Sequence, residues 1–356
     1  MTQRFGQGLV VGKFSPLHLG HEYLIDVAKS QCERLLVLSY SQPELPRCPA
    51  HIRTGWLRRR FADVQVVVLD DALLANWCRQ TGVATQRLPA NHAPDDVHRN
   101  FVAWLLREHL ALSVDAIFSS ESYGDGFAQS LSKHQQARKP GATNVAHVCV
   151  DLHRQRYLVS GTAIRASPSA WRDWVSRDVY AHLLPRLCIL GGESSGKTTL
   201  AAALAQALNT VWVPEYGREY WNTVRRNLTP DELLQVARIQ IACEEEAVQL
   251  ASTWLVCDTS PLTTLQYCLL DHASAPVELV QMAQRHYDLV LLCDADFDFV
   301  QDGTRRDRSF SRQQQASTIA ALNALGMDYL MVAGTVAQRV ETVLRRLQLQ
   351  GLPGCQ

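Results

Sequence analysis

Short apolar runs, each followed by a stretch with helical spacing, constrain the fold of this 356-residue chain more than any other feature. They fall at Gly8-Leu9-Val10-Val11, Leu35-Leu36-Val37-Leu38, Val64-Gln65-Val66-Val67-Val68-Leu69 and Ala116-Ile117-Phe118. The alternation restarts at Leu187-Cys188-Ile189-Leu190 and continues through Thr210-Val211-Trp212-Val213, Trp254-Leu255-Val256-Cys257 and Leu289-Val290-Leu291-Leu292. Runs of this length between helices suit parallel strands covered on both faces. Both halves therefore read as α/β, each a doubly wound parallel sheet. Length alone predicts about two domains. The helix-like stretch from Trp171 to Pro185 separates the two series, so the boundary is placed there, giving residues 1–184 and 185–356.

Lys+Arg and Asp+Glu both number 35, which argues against a nucleic-acid partner, since duplex binders carry a basic excess. Affinity for phosphates must then come from a few placed residues. Residues 1–8 form no apolar signal stretch, and no run approaches the roughly 18 apolar residues that span a bilayer. The ten cysteines form no CxxC pair and read as reduced, buried thiols. A cytoplasmic protein without membrane insertion is expected.

In the second half, Leu187–Leu190 runs into Gly191-Gly192-Glu193-Ser194-Ser195-Gly196-Lys197-Thr198, followed by Thr199 and a helix with Leu200, Leu204 and Leu208. This is GxxxxGK[ST] in a strand–loop–helix setting, a P-loop. Its backbone N–H groups would cradle ATP phosphates, Lys197 would reach the β/γ oxygens, and Thr198 would hold Mg²⁺. Asp258, ending the run Val256-Cys257-Asp258, suits Mg²⁺ or the orientation of an acceptor hydroxyl. Glu215-Tyr216-Gly217-Arg218-Glu219 follows a strand where small-molecule kinases hold the phosphoryl acceptor. The loop Asp302-Gly303-Thr304-Arg305-Arg306-Asp307-Arg308 could act as a lid that places Arg305 or Arg308 on the phosphoryl group; a solvated charged loop is the plainer alternative.

In the first half, the opening run leads into Gly12-Lys13-Phe14-Ser15-Pro16-Leu17-His18-Leu19-Gly20-His21, with Leu24, Ala28 and Cys32 at helical spacing beyond it. Two histidines at a helix N-terminus can donate to phosphate oxygens and stabilise charge developing at phosphorus. Gly20 between them permits close approach. The pattern GxFxPxHxGH resembles the HxGH nucleotidyltransferase superfamily, Rossmann-like domains that transfer a nucleoside monophosphate and release pyrophosphate. A second motif of that superfamily is matched by Ser160-Gly161-Thr162-Ala163-Ile164-Arg165. There Ser160 and Thr162 can cap the next helix, and Arg165 can neutralise a triphosphate.

The pairing and order of the two halves resemble the NadR family, nicotinamide-mononucleotide adenylyltransferase fused to ribosylnicotinamide kinase. Further matching stretches are Ser119-Ser120-Glu121-Ser122-Tyr123-Gly124, Val150-Asp151 with Arg154, and Asp258-Thr259 with Thr263-Thr264. The resemblance implies two ATP- and Mg²⁺-dependent steps of NAD salvage. The second domain would phosphorylate nicotinamide riboside to nicotinamide mononucleotide (NMN), and the first would adenylylate NMN to NAD. Functional coupling to a nicotinamide riboside permease is implied by analogy alone, and homo-oligomerisation stays open. Two departures stand out. Only about eight residues precede the first strand, leaving no room for the helix-turn-helix repressor domain of some members, so repression is not expected. The family's Trp-Val-Asp-Asp-Gly is here Phe299-Val300-Gln301-Asp302-Gly303. A cationic nicotinamide ring favours aromatic stacking. Trp104 and Trp77 are the candidates, against the plainer reading of each as core. Rival readings are a coenzyme A synthase-like fusion and a nucleotide sensor with a weak transferase site.

Overall fold

The structure, a computed structural model, describes residues 4–166, 171–296, 298–301 and 305–349. It divides into two compact units, Met1–His182 and Leu183–Gln356. The first runs β1 (Phe5–Gly12), α1 (Leu19–Gln31), β2 (Cys32–Tyr40), α2 (Ala50–Arg60), β3 (Gln65–Leu69), α3 (Asp71–Thr81), α4 (Asp95–Glu108), β4 (Ala116–Ser119), α5 (Gly124–Arg138), β5 (Ala146–Cys149), α6 (Gly161–Ala166), α7 (Trp171–Trp174) and α8 (Arg177–Leu183). Its five strands pair in parallel in the order β3-β2-β1-β4-β5. Leu9 of β1 registers with Leu36 on one side and Ile117 on the other. These residues meet Val102 and Leu105 of α4 in the core. Each such buried side chain contributes roughly 1.5–3 kcal/mol.

The second unit runs β6 (Arg186–Leu190), α9 (Lys197–Ala207), β7 (Trp212–Val213), α10 (Tyr216–Val224), α11 (Pro230–Ala247), β8 (Leu255–Asp258), α12 (Pro261–His272), α13 (Val277–Met282), β9 (Leu289–Cys293), α14 (Arg308–Ala324), β10 (Leu330–Val332) and α15 (Val336–Leu349). Its sheet, also parallel, has the order β10-β9-β6-β8-β7. In both sheets the first strand is central and the order changes direction beside it. The crevice outside the strands' carboxyl ends opens there, where ligands of such sheets bind.

Several local expectations shift. Cys32 does not continue the first helix: it opens β2, and α1 buries Glu22, Leu24, Ile25 and Ala28 instead. The run Thr210–Val213 pairs only at Trp212–Val213. The stretch Trp171–Pro185 is two short helices parted at Val175-Ser176. Strands β5 and β10, four and three residues long, are not among the runs read from sequence, although Tyr329-Leu330-Met331-Val332-Ala333 is as apolar as the runs that were. Among the described residues no helix is long and apolar enough to cross a membrane.

Candidate active sites

In the first unit the loop between β1 and α1 turns sharply at Phe14, whose φ of 48° lies in the left-handed region that a bulky side chain rarely adopts. The turn buries the Phe14 ring edge-on against His21 at 5.0 Å. His18 caps α1, its Nδ1 accepting from the His21 amide at 3.3 Å. That bond leaves the proton of a neutral His18 on Nε2, as a donor. The two imidazoles stack with centroids 3.5 Å apart. A Cβ at Gly20 would sit 3.2 Å from the His18 ring, so glycine there spares the stack a shift of a few tenths of an ångström. Burial, reinforced by Arg154 and Arg165, lowers the His18 pKa to about 4. Burial and His18 likewise hold His21 well below the ordinary value. Both are neutral near pH 7. His21 Nδ1 is buried with no hydrogen-bond partner among the described residues.

The motif from the far end of the unit closes on this loop. Arg165 donates to the Ser15 carbonyl at 2.5 Å and to the Thr162 hydroxyl at 3.0 Å. Ser160 caps α6, accepting from the Ala163 amide at 3.1 Å, whereas Thr162 sits inside the helix and caps nothing. Lys13 donates to the Asn91 carbonyl at 3.2 Å, and burial followed by the Arg165 charge lowers its pKa. Beneath the loop, fully buried Arg53 donates to the carbonyls of Lys13 and Cys48 and pairs with Glu44 at 3.1 Å. A cavity of about 620 Å³ is lined by Gly12, Lys13, Phe14, His18, Gly20, His21, Ser160, Gly161, Thr162 and Arg165 together. Trp104 is not among its lining residues. It packs in the core of α4 against Phe101 and His109, with Trp77 nearby. Besides Phe14, the Phe and Tyr side chains that line the cavity are Tyr23, Tyr40, Tyr123, Phe127 and Tyr157.

In the second unit the P-loop joins β6 to α9 through Gly196, whose φ of 84° suits glycine. Lys197 is buried and donates to the carbonyls of Gly191 and Gly192 at 2.9 and 3.0 Å. Not every loop amide is available to phosphate. Those of Gly192 and Glu193 are bonded to Gln315 and Gln314 of α14. The Ser195 amide donates to the Gly192 carbonyl at 3.3 Å. Phosphate contact is left to the amides of Ser194 and of Gly196 to Thr199, because the first turn of a helix has no internal acceptor. The Thr199 side chain itself is exposed.

Asp258 ends β8 and is 1% exposed, with both carboxylate oxygens buried and without a hydrogen-bond partner among the described residues. Burial, then the Glu215 charge, raises its pKa to about 6; the nearby Thr198 hydroxyl and Lys197 pull the other way without bonding geometry. The following residue, Thr259, holds a φ of 91°, a strained value for a β-branched residue. A buried carboxylate lacking partners beside a P-loop threonine fits a magnesium ion, which takes one or two protein oxygens and completes its shell with phosphate and water. Among the described residues no cluster of three or more His, Cys, Asp and Glu side chains could hold a metal.

A cavity of about 230 Å³ adjoins the loop, lined by Glu193, Glu215, Arg218, Trp221, Tyr267, Asp271, Arg305 and Arg306 among others. Glu215 and Arg218 face each other at 3.8 Å. Tyr216 points elsewhere: it stacks on Tyr220, and both line a separate groove. In the lid region Asp302, Gly303 and Thr304 lie outside the described residues. Arg305 donates to Ser194 of the P-loop at 3.2 Å, and Arg308 begins α14. Arg306 makes a bidentate pair with Asp271, both bonds 2.6 Å, and its amide donates to Glu193. Glu193 also accepts from the Tyr267 hydroxyl at 2.9 Å. Gln301 donates to the carbonyls of Arg305 and Arg306. Trp221, Tyr267, Asp271 and Arg306 were not singled out from sequence. Only the Arg306 charge was visible there, inside the arginine-rich loop.

A family model described as an AAA domain matches residues 186–339. The trifunctional NAD biosynthesis/regulator protein NadR of Escherichia coli (strain K12) is 28% identical over 319 residues, covering 84% of this chain and 71% of that protein. The protein of the same name from Salmonella typhimurium (strain LT2) is 28% identical over 318 residues with the same coverage. Crystal structures of a NadR protein in complex with NAD and AMP-PNP, and of a NadR protein in complex with NR, superpose with TM-scores of 0.62 and 0.64. Each is 19% identical and spans 98% of this chain. In sequence, over most of its length, and in fold, over both units, the chain is homologous to the NadR proteins.

Proposed function

We propose that the chain is a bifunctional enzyme of NAD biosynthesis. Its second unit phosphorylates the 5′-hydroxyl of nicotinamide riboside with ATP, and its first joins the resulting NMN to AMP from ATP, releasing pyrophosphate. The observation that carries this reading is the meeting of His18, His21, Lys13 and Arg165 on one cavity, from motifs at opposite ends of the first unit. The names of the curated relatives and the ligands of the solved neighbours support the substrates.

Adenylyl transfer is attack by an NMN phosphate oxygen on the α-phosphorus of ATP. The phosphate is already ionised, so no general base is needed, and neutral imidazoles suffice. His18 donates its Nε2–H to a phosphoryl oxygen, while Lys13 and Arg165 offset charge on the triphosphate. In the kinase unit Lys197 leaves the loop carbonyls for the β/γ oxygens, and the amides of Ser194 and of Gly196 to Thr199 hold the phosphates. Glu215 accepts the hydrogen bond of the ribose hydroxyl, holds it in line and takes its proton as the O–P bond forms and ADP leaves, with Arg218 fixing the carboxylate. Arg305, beside Ser194, meets the charge of the transferring group. Asp258 and Thr198 would hold magnesium, which would supply further positive charge to the phosphates.

The test is to incubate purified protein with nicotinamide riboside, excess ATP and Mg²⁺, then resolve the products. NAD is expected. NMN alone limits the reading to the kinase, and neither product sinks it, with dephospho-coenzyme A the next substrate to try.

A further inference from the structure

The loop between β1 and α1 turns on one peptide. The plane between Lys13 and Phe14 follows the φ of 48° at Phe14, a value that a bulky residue keeps only where its surroundings over-determine it. Three donors converge on the Lys13 carbonyl: the Ser15 hydroxyl at 3.1 Å, the Ser39 hydroxyl at 3.0 Å and Nη1 of Arg53 at 3.3 Å. Ser39, next to last in β2, also meets that Nη1 at 2.5 Å. A guanidinium only donates, so Ser39 accepts from Arg53 and keeps its own proton for the carbonyl. Arg53 thus holds the Lys13 carbonyl twice, directly and through Ser39.

The guanidinium is itself fixed. Its Nε donates to the Cys48 carbonyl at 3.0 Å and its Nη2 to Glu44 at 3.1 Å, and the same carboxylate oxygen accepts from the Ala50 amide at the start of α2. These bonds use a planar fork that an ammonium group cannot copy. Arg53 is 0% exposed and is not among the residues lining the cavity, so it acts from behind the loop. What it holds does face the cavity: Lys13 lines it, and the Phe14 ring packs on His21, which stacks on His18. A second hold on this loop, from Arg165 to the Ser15 carbonyl, comes from a residue that the mechanism turns toward the triphosphate. The hold from Arg53 does not depend on that residue.

We infer that Arg53 is a positioning residue for adenylyl transfer, whose fork holds the Lys13 carbonyl and so keeps the Phe14 turn, Lys13 and the stacked histidines in the geometry the reaction uses. The role rests on the adenylyltransferase reading above. It also has a consequence in the ligand-free protein. If the turn relaxes, the Phe14 ring withdraws from His21 and water reaches both imidazoles. Burial is what keeps the two rings neutral, so their pKa values then rise toward the ordinary 6.5. An arginine that served only the stability of the unit would leave the histidines of the folded protein as they are.

The experiment uses the full chain with Arg53→Lys and with Ser39→Ala, each checked for folding by thermal melt. NAD formation from NMN, ATP and Mg²⁺ gives kcat and KM. Proton NMR from about pH 5 to 8 follows the ring signals of His18 and His21, assigned with His18→Asn and His21→Asn. In the parent both rings are expected to stay neutral throughout. Arg53→Lys should lower kcat about 10²-fold with the KM values little changed, and bring the histidine midpoints up into that range. Ser39→Ala removes one of the three donors and should move both readouts the same way by less, about ten-fold in kcat. It decides alone if Arg53→Lys does not fold. A lower kcat with unmoved midpoints makes Arg53 a structural residue and overturns the inference, as do unchanged kcat and midpoints. If the parent makes no NAD, the adenylyltransferase reading fails, and the titration still decides for Arg53: risen midpoints in the variants support its hold on the histidines, and unmoved ones overturn it.

Discussion

His18 donates through Nε2 because its Nδ1 is spent on the His21 amide, and a pKa near 4 keeps it in that state at neutral pH. His18→Asn keeps a capping oxygen in the place of Nδ1, but its amide NH₂ stops short of the Nε2 position, so the donor to the phosphoryl oxygen is lost. NAD formation from NMN should fall about 10²–10³-fold while NMN formation from the riboside is unchanged. A loss of both products would contradict the separate roles. Asp258 presents the opposite case, a carboxylate whose environment resists its charge. Its folded pKa, about 6, exceeds the ordinary 3.8, so between those values the folded state holds more protons and stability falls as pH rises. Asp258→Asn should therefore abolish riboside phosphorylation yet stabilise the ligand-free protein by about 3 kcal/mol above pH 6, an advantage that disappears below about pH 4. Urea melts across that range would show it, and a variant less stable at pH 7.5 would refute the account. The chemistry of these two residues was legible in sequence because each sits in a short contiguous pattern. The ring contacts were not. Trp104 presented a stacking surface on a helix whose buried face sequence could not orient, whereas Tyr40 and His98 lie 58 positions apart and meet only through packing.

At the scale of elements, strand–loop–helix transitions carry both sites, and apolar runs sufficed to place most of the strands that precede them. Runs flanked by turns mark buried strands well, but β5 is interrupted by His147, and β10, only half-buried at Leu330 and exposed at Met331, is an edge strand that its run Tyr329–Ala333 does not set apart. The lid was visible as arginines without an assignment of partners, which depends on α12 supplying Asp271 and Tyr267. Arg306→Gln breaks the bidentate pair that seats this segment against the P-loop. Kinase kcat/KM for ATP should fall about ten-fold, and protease should cut between residues 298 and 308 faster, with NMN adenylylation unaffected. Unaltered cleavage and kinetics would mean that Gln301 and Arg305 seat the segment without it.

For the whole molecule, each unit owns a complete parallel sheet and its own hydrophobic core. Separate expression of residues 1–184 and 185–356 should give two folded fragments, the first converting NMN to NAD and the second the riboside to NMN. Insolubility of either fragment would show that its core is not sufficient alone. That two such sheets follow each other could be read directly from the restart of the apolar series at Leu187. The true extent of β7 and the break between α7 and α8 could not, since both depend on which backbone groups find partners in three dimensions.

The two acid-sensitive groups also set an order of failure. The metal-free Asp258 takes up a proton as pH falls through about 6, and that proton competes with metal, whereas His18 stays neutral until about 4. Acidification should thus throttle entry into the two-step route before it impairs the exit. In rate profiles the riboside-consuming step should decline first, with NMN supplied directly still converted near pH 5. A catalyst arranged in this way drains its intermediate under acid stress instead of stranding it.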